Sequence, residues 1–202
     1  MAVALSTIEE HAELPVSAPV RPRVLLVGTV FAAAAAAMTF AGLLGTYLTL
    51  RQGVVATGEP WLPSGVEMPL TPANMALLTL GMSVITMQWA VYALGNEDRR
   101  SAFLALGLTL LFGVAYLNGM GFYYSQMGLE AASVQGALIY AISGAHLVLM
   151  GAAMLFAALM TFRTLGGQYG PRDREGIVAA TILWDVAVAV YVVIWYAIFI
   201  TK

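Results

Sequence analysis

The chain has 202 residues, a formal net charge of −2, 60% hydrophobic and 10% charged residues, and no cysteine. Soluble domains carry about 25% charged residues, so this composition excludes a water-soluble domain, and its hydrophobicity excludes a disordered chain. The missing cysteine removes disulfides, thiolate metal sites, CxxCH haem attachment and a cysteine nucleophile, and the near-neutral charge argues against a nucleic-acid partner.

What remains is an all-α, polytopic membrane protein. Residues 1–23 form a polar N-terminal tail with Glu9, Glu10, Glu13 and His11. The tail lacks the basic start and apolar stretch of a signal peptide, so no cleavage is expected. Residues 24–202 form one bundle of five transmembrane helices, since a span needs about 20 apolar residues.

The first span covers about 24–50 and contains the alanine run Ala32 to Ala37. The longest loop follows, with Pro60, Pro63, Pro69 and Trp61, an interfacial anchor by type. The second span covers about 72–94 and carries Asn74 and Gln88. Asn96-Glu97-Asp98-Arg99-Arg100 separates it from the third, at about 102–124, which carries Asn118. The fourth, at about 134–162, carries His146, and the fifth, at about 177–200, carries Asp185. The Gly166–Glu175 linker between them is stopped by Gly and Pro and is rich in charge.

Arginine placement orients the bundle. Arg21, Arg23, Arg99, Arg100, Arg163, Arg172 and Arg174 fall on one side, Arg51 and Lys202 on the other. Seven against two places the N-terminus in the cytoplasm and the C-terminus outside.

Polar groups inside hydrocarbon need partners. At 1.5 Å per residue, Asp185 and Gln88 lie roughly 5–8 Å to the cytoplasmic side of mid-membrane, and His146 and Asn118 roughly 3–8 Å to the outer side. Depth therefore offers Asp185 with Gln88, and His146 with Asn118, as pairs. Asp185 reads either as a proton-relay carboxylate or as an acid hydrogen-bonded between packed helices. With His11 in the tail, His146 stands alone in the membrane, which excludes bis-histidine haem and a histidine-rich copper site. No catalytic, metal or cofactor-binding residue is expected in this chain. Gly42, Gly45, Gly113, Gly119, Gly121, Gly136, Gly144 and Gly151 suggest close helix packing or docking to a larger subunit.

The order of residues from Met38 to Ala90 carries a family pattern. Met38-Thr39-Phe40-Ala41-Gly42-Leu43 leads to Tyr47 and Leu50-Arg51, then Trp61-Leu62-Pro63, Met68-Pro69-Leu70, Asn74, Leu77-Leu78, Ser83, Thr86 and Gln88-Trp89-Ala90. This resembles subunit III of haem–copper terminal oxidases (cytochrome c oxidase), in the short five-helix form. Ser143-Gly144-Ala145-His146 looks like the family's T-G-x-H, and Asp185-Val186 like the end of its W-H-F-V-D-V. Several family polar residues are replaced. The usual Ser-Glu falls on Ala35 and Ala36, the second histidine on Leu149, the Gln and Glu of the third span on Met120 and Tyr123, and the last Trp and His on Thr181 and Ile182.

The resemblance implies a non-catalytic subunit of a respiratory oxidase. It would sit in the cell (inner or plasma) membrane against catalytic subunit I, with subunit II and other respiratory subunits as further partners. Haem and copper would reside in those partners, and phospholipid would be bound here. Trp61, Asn74, Gln88, His146 and Asp185 are the candidate polar, lipid or subunit-contact residues. The charges Asp98, Arg99, Arg100, Asp173 and Glu175 would face the proton-uptake side, or serve topology and solvation alone. Two other readings stay open: an accessory protein of a nitric oxide reductase on the same fold, and a small transporter. A transporter would call for a repeat, broken helices or a polar line through the bundle, and none is visible.

Overall fold

The computed structural model describes residues 23–66, 68–170 and 173–201. The expected polar tail lies outside them except for Arg23, as do His11, Arg21, Arg172 and Lys202. Five helices cross the molecule: α1 (Val24–Val55), α2 (Leu70–Gly95), α3 (Arg99–Met127), α4 (Val134–Leu165) and α5 (Glu175–Ile194), the last continuing as a π-helical stretch over Trp195–Ile200. All five are long and apolar enough to span a membrane. At 32 residues, α1 and α4 run roughly 48 Å, beyond a hydrocarbon core of about 30 Å, so they tilt or project at their ends.

The helix ends follow their residues. Asp98 caps α3 by accepting from the Ser101 N–H at 3.0 Å. These bonds from Ser101 hold the exposed Asp98 carboxyl below the usual carboxylate range. Ser133 caps α4 by accepting from the Gly136 N–H at 3.0 Å. Gly128 ends α3 in the left-handed region at φ 59°, where a Cβ would be strained.

α5 is the centre of the bundle. It packs against α1, α4 and α2, while α3 lies behind α2, its most extensive partner, and touches α4. Of the apolar stretch of each helix, 56% is buried in α5 against 17% in α1. The π-helical stretch buries three consecutive residues, Ala197, Ile198 and Phe199.

Close packing by glycine is local. A Cβ on Gly113 would meet Met154 Sδ at 2.9 Å and Trp184 Cη2 at 3.0 Å, so α3, α4 and α5 converge there. Gly42, Gly45, Gly119, Gly121, Gly144 and Gly151 have open space at the Cβ position. Of the eight glycines singled out from the sequence, Gly113 thus serves packing within the bundle, and these six look outward from this chain.

Consecutive helices alternate in direction, so α1 and α5 start at the same end. There Glu175 accepts from the Leu26 N–H at 2.9 Å. The carboxylate thus supplies the side-chain cap that Arg23 does not give to α1. The neighbouring Arg174 guanidinium lies against Gly95 at the C-terminus of α2. An anion sits at a helix start and a cation at a helix end, each where the helix dipole favours it.

Candidate functional site

The polar residues of the spans form three groups along α5. Nearest the Arg23 end, Gln88 Nε2 donates to Asp185 Oδ2 at 2.7 Å, tying α2 to α5. The pair expected from depth is present. Gln88 is exposed on the bundle surface, and Asp185 is half-buried with its Oδ1 enclosed and unpartnered. Just inside, Trp184 Nε1 donates to Ser83 Oγ at 2.9 Å, and Ser83 Oγ donates to the Leu80 carbonyl at 2.6 Å. The Thr86 and Thr109 hydroxyls meet at 2.7 Å between α2 and α3.

The middle group surrounds His146, which is 1% exposed. Its Nε2 lies 2.9 Å from the Ala187 carbonyl and its Nδ1 2.7 Å from the Tyr116 hydroxyl. A carbonyl only accepts, so in the neutral ring Nε2 carries the proton and Nδ1 accepts from Tyr116. The expected His146–Asn118 pairing is not formed. Asn118 is exposed on α3, and Tyr116, two residues earlier, faces the histidine instead. Phe40, Tyr116 and Tyr191 pack around the imidazole with ring centroids 5.4–5.9 Å away. Both ring nitrogens are engaged, so neither is presented to a ligand. His146 thereby joins α4 to α5 and, through Tyr116, to α3.

The third group lies toward the opposite end. Trp195 Nε1 donates to Asn74 Oδ1 at 2.9 Å, and the Tyr191 hydroxyl donates to the Ala73 carbonyl at 3.2 Å. Trp61 is 4% exposed and meets Tyr47 edge-on at 5.6 Å. Sequence reasoning missed Tyr116, Ser83, Thr86 and Thr109 as partners, although hydroxyls inside spans were the available signal. Where the family's polar residues are replaced, Met120, Tyr123 and Thr181 are buried, and the Thr181 hydroxyl donates to its own helix at Ile177.

Among the described residues, no three His, Cys, Asp or Glu side chains converge as a metal-ligand group. Four of the five candidate residues, Asn74, Gln88, His146 and Asp185, tie helices together rather than surround one reacting centre. The fold and these ties define a polytopic bundle of five membrane-length helices joined by their polar side chains.

The sequence model of the family described as Cytochrome c oxidase subunit III matches residues 11–202. The chain belongs to that family, the non-catalytic third subunit of haem–copper oxidases. It is 27% identical over 191 residues to a probable cytochrome c oxidase subunit 3 of Nocardia farcinica, covering 90% of each chain. It is 25% identical to the cytochrome c oxidase subunit 3 of Corynebacterium diphtheriae, over 100% of this chain and 98% of that one. The Gallus gallus subunit 3 is 29% identical over 133 residues, 63% of this chain and only 50% of the longer relative.

Proposed function

We propose that the chain seats against catalytic subunit I of a respiratory oxidase, alongside subunit II and further respiratory subunits, in the cell's inner or plasma membrane. Its N-terminus lies in the cytoplasm and its C-terminus outside. The haem and copper belong to the partner subunits, and this chain stabilises subunit I, holds phospholipid and supports proton uptake and oxygen reduction. Arg99 and Arg100 remain as exposed charge on the cytoplasmic side, while Asp98 and Glu175 serve helix ends.

One observation carries the docking reading. Gln88 is exposed at membrane depth, where an amide facing lipid is costly, and among the described residues its side chain bonds only Asp185. A polar group on a helix of subunit I completes that pair. The open glycines of α1 and α2, Gly42, Gly45 and Gly81, allow a neighbouring helix to approach closely.

The test is a mild-detergent pull-down on this chain with an optical spectrum and mass spectrometry. Haem a or haem o with a large catalytic subunit and oxygen uptake is the expected result. Haem b and c with nitric oxide turnover would move the chain to a reductase. A colourless, partner-free protein would overturn the proposal.

A further inference from the structure

Five tyrosines gather between α3, α4 and α5: Tyr116, Tyr123, Tyr124, Tyr140 and Tyr191. The rings of Tyr116 and Tyr191 meet edge-on with centroids 5.3 Å apart. Tyr123 lies 5.9 Å from Tyr124, which lies 5.4 Å from Tyr140. A small cavity lined by Tyr116, Tyr123 and Tyr191 joins the two sets.

The five differ in what their hydroxyls face. Tyr123 donates to Met68 Sδ at 3.4 Å, Tyr124 to Ser143 Oγ at 2.8 Å, and Tyr140 and Tyr191 to the Leu129 and Ala73 carbonyls at 3.2 Å. A thioether, a hydroxyl and a carbonyl accept a hydrogen bond but do not keep the proton. Tyr116 donates to His146 Nδ1 at 2.7 Å. Imidazole has an ordinary pKa of about 6.5, so Nδ1 is a base that can take the proton whole.

That difference decides where an electron is most readily lost. An oxidised tyrosine sheds its phenolic proton, and with no base at hand the charge stays on a buried ring at high cost. At Tyr116 the acceptor is already in place. After transfer, Nδ1–H donates to the phenoxyl oxygen while Nε2–H keeps its bond to the Ala187 carbonyl. Tyr116 and His146 are each 1% exposed, so water does not carry the proton off, and the step reverses when the electron returns.

We propose that Tyr116 and His146 form a redox site, in which Tyr116 loses one electron as its phenolic proton passes to His146 Nδ1. The O–H bond breaks, an N–H bond forms, and a neutral tyrosyl radical stands beside an imidazolium. The electron goes to a high-potential one-electron oxidant, of the class that a haem becomes after reaction with peroxide. That oxidant rests on the haem-bearing partner proposed above; the pairing of Tyr116 with its base does not.

The test is electron paramagnetic resonance on the frozen intact complex, oxidised either by ultraviolet photolysis or by hydrogen peroxide. The wild-type spectrum minus that of Tyr116→Phe is expected to be a tyrosyl radical whose gx is lowered by the hydrogen bond from the imidazolium. His146→Leu should cut that component about tenfold, the loss of one charge-assisted contact. Tyr116→Phe keeps the ring, so it reads the site even if His146→Leu does not accumulate. Tyr191→Phe, whose hydroxyl faces a carbonyl, should leave the component in place.

Identical spectra from wild type and Tyr116→Phe under both oxidants would overturn the proposal. So would a Tyr116 component of full size in His146→Leu. A Tyr116 radical on photolysis with none after peroxide, in a complex that holds haem, would overturn the haem-derived oxidant. If no haem-bearing subunit accompanies the chain, the function proposed above fails while photolysis still reads the pair.

Discussion

α5 and α1 are both apolar helices of membrane length, and they use their polar groups in opposite ways. α5 turns its groups toward neighbours: Glu175 to α1, Trp184, Asp185 and Trp195 to α2, and the Ala187 carbonyl to His146 of α4. α1 turns its threonines onto itself. Thr39, Thr46 and Thr49 each donate to a carbonyl four residues back. Among the described residues its Arg51 Nε has no hydrogen-bond partner. In hydrocarbon, apolar surface gives helices no reason to prefer each other over lipid, so packing and interhelical hydrogen bonds decide. α5 is therefore the element that holds this chain together, and α1 is the one left available to lipid and to another subunit.

The largest test of that contrast is Trp184→Ala. It empties the space of a fully buried side chain and frees Ser83, with an expected loss of about 3–5 kcal/mol. A thermal shift of the purified complex measures it; little change would remove α5 from its central role.

His146→Leu should cost about 1–3 kcal/mol by leaving the Tyr116 hydroxyl without its partner. The haem absorbance of the complex should stay the same, because His146 joins helices through both ring nitrogens. A spectral change would give it a different role.

A matched pair of glycines sharpens the comparison further. Gly113→Ala should cost about 1–3 kcal/mol through overpacking against Met154 and Trp184. Gly42→Ala on α1 should leave the isolated chain unchanged and weaken only its association with a partner. Equal effects on the isolated chain would mean that α1 packs more like α5 than described.

Glu175→Ala removes the cap at the start of α1 and should cost about 1 kcal/mol, seen as faster hydrogen exchange at Leu26. Glu175→Gln keeps an acceptor and should recover part of it.

The smallest effect is expected at Asp98. Its carboxyl is held low by Ser101, so the cap is complete above the unfolded pKa of about 3.9 and is lost as pH falls through the lowered folded value. The Ser101 amide should lose protection there relative to the Gly136 amide, whose Ser133 hydroxyl cap does not titrate.

Depth was legible in the sequence and azimuth was not. A fixed rise per residue places Asp185 and Gln88 at one level, and they do meet. The same arithmetic places His146 with Asn118, but two residues turn a helix by about 200°, which puts Tyr116 inward and Asn118 outward. Hydropathy could not decide between them, because in a membrane the outward face is as apolar as the inward one. The five helices were readable for the same reason: length and apolarity alone define a span. The links from Glu175 to Leu26 and from Arg174 to Gly95 depend on which helix ends are neighbours, and no local pattern carries that.

The Glu175–Leu26 bond joins residues 149 positions apart. At a synthesis rate of about 5–20 residues per second, roughly 7–30 s separate the appearance of the two. For that interval α1 waits in the membrane with its first turn uncapped and without the helix that forms its main contact. Of these five helices, the last to be made is the one that closes α1. A ribosome that stops short of residue 175 therefore leaves α1 to α4 as a bundle with no centre.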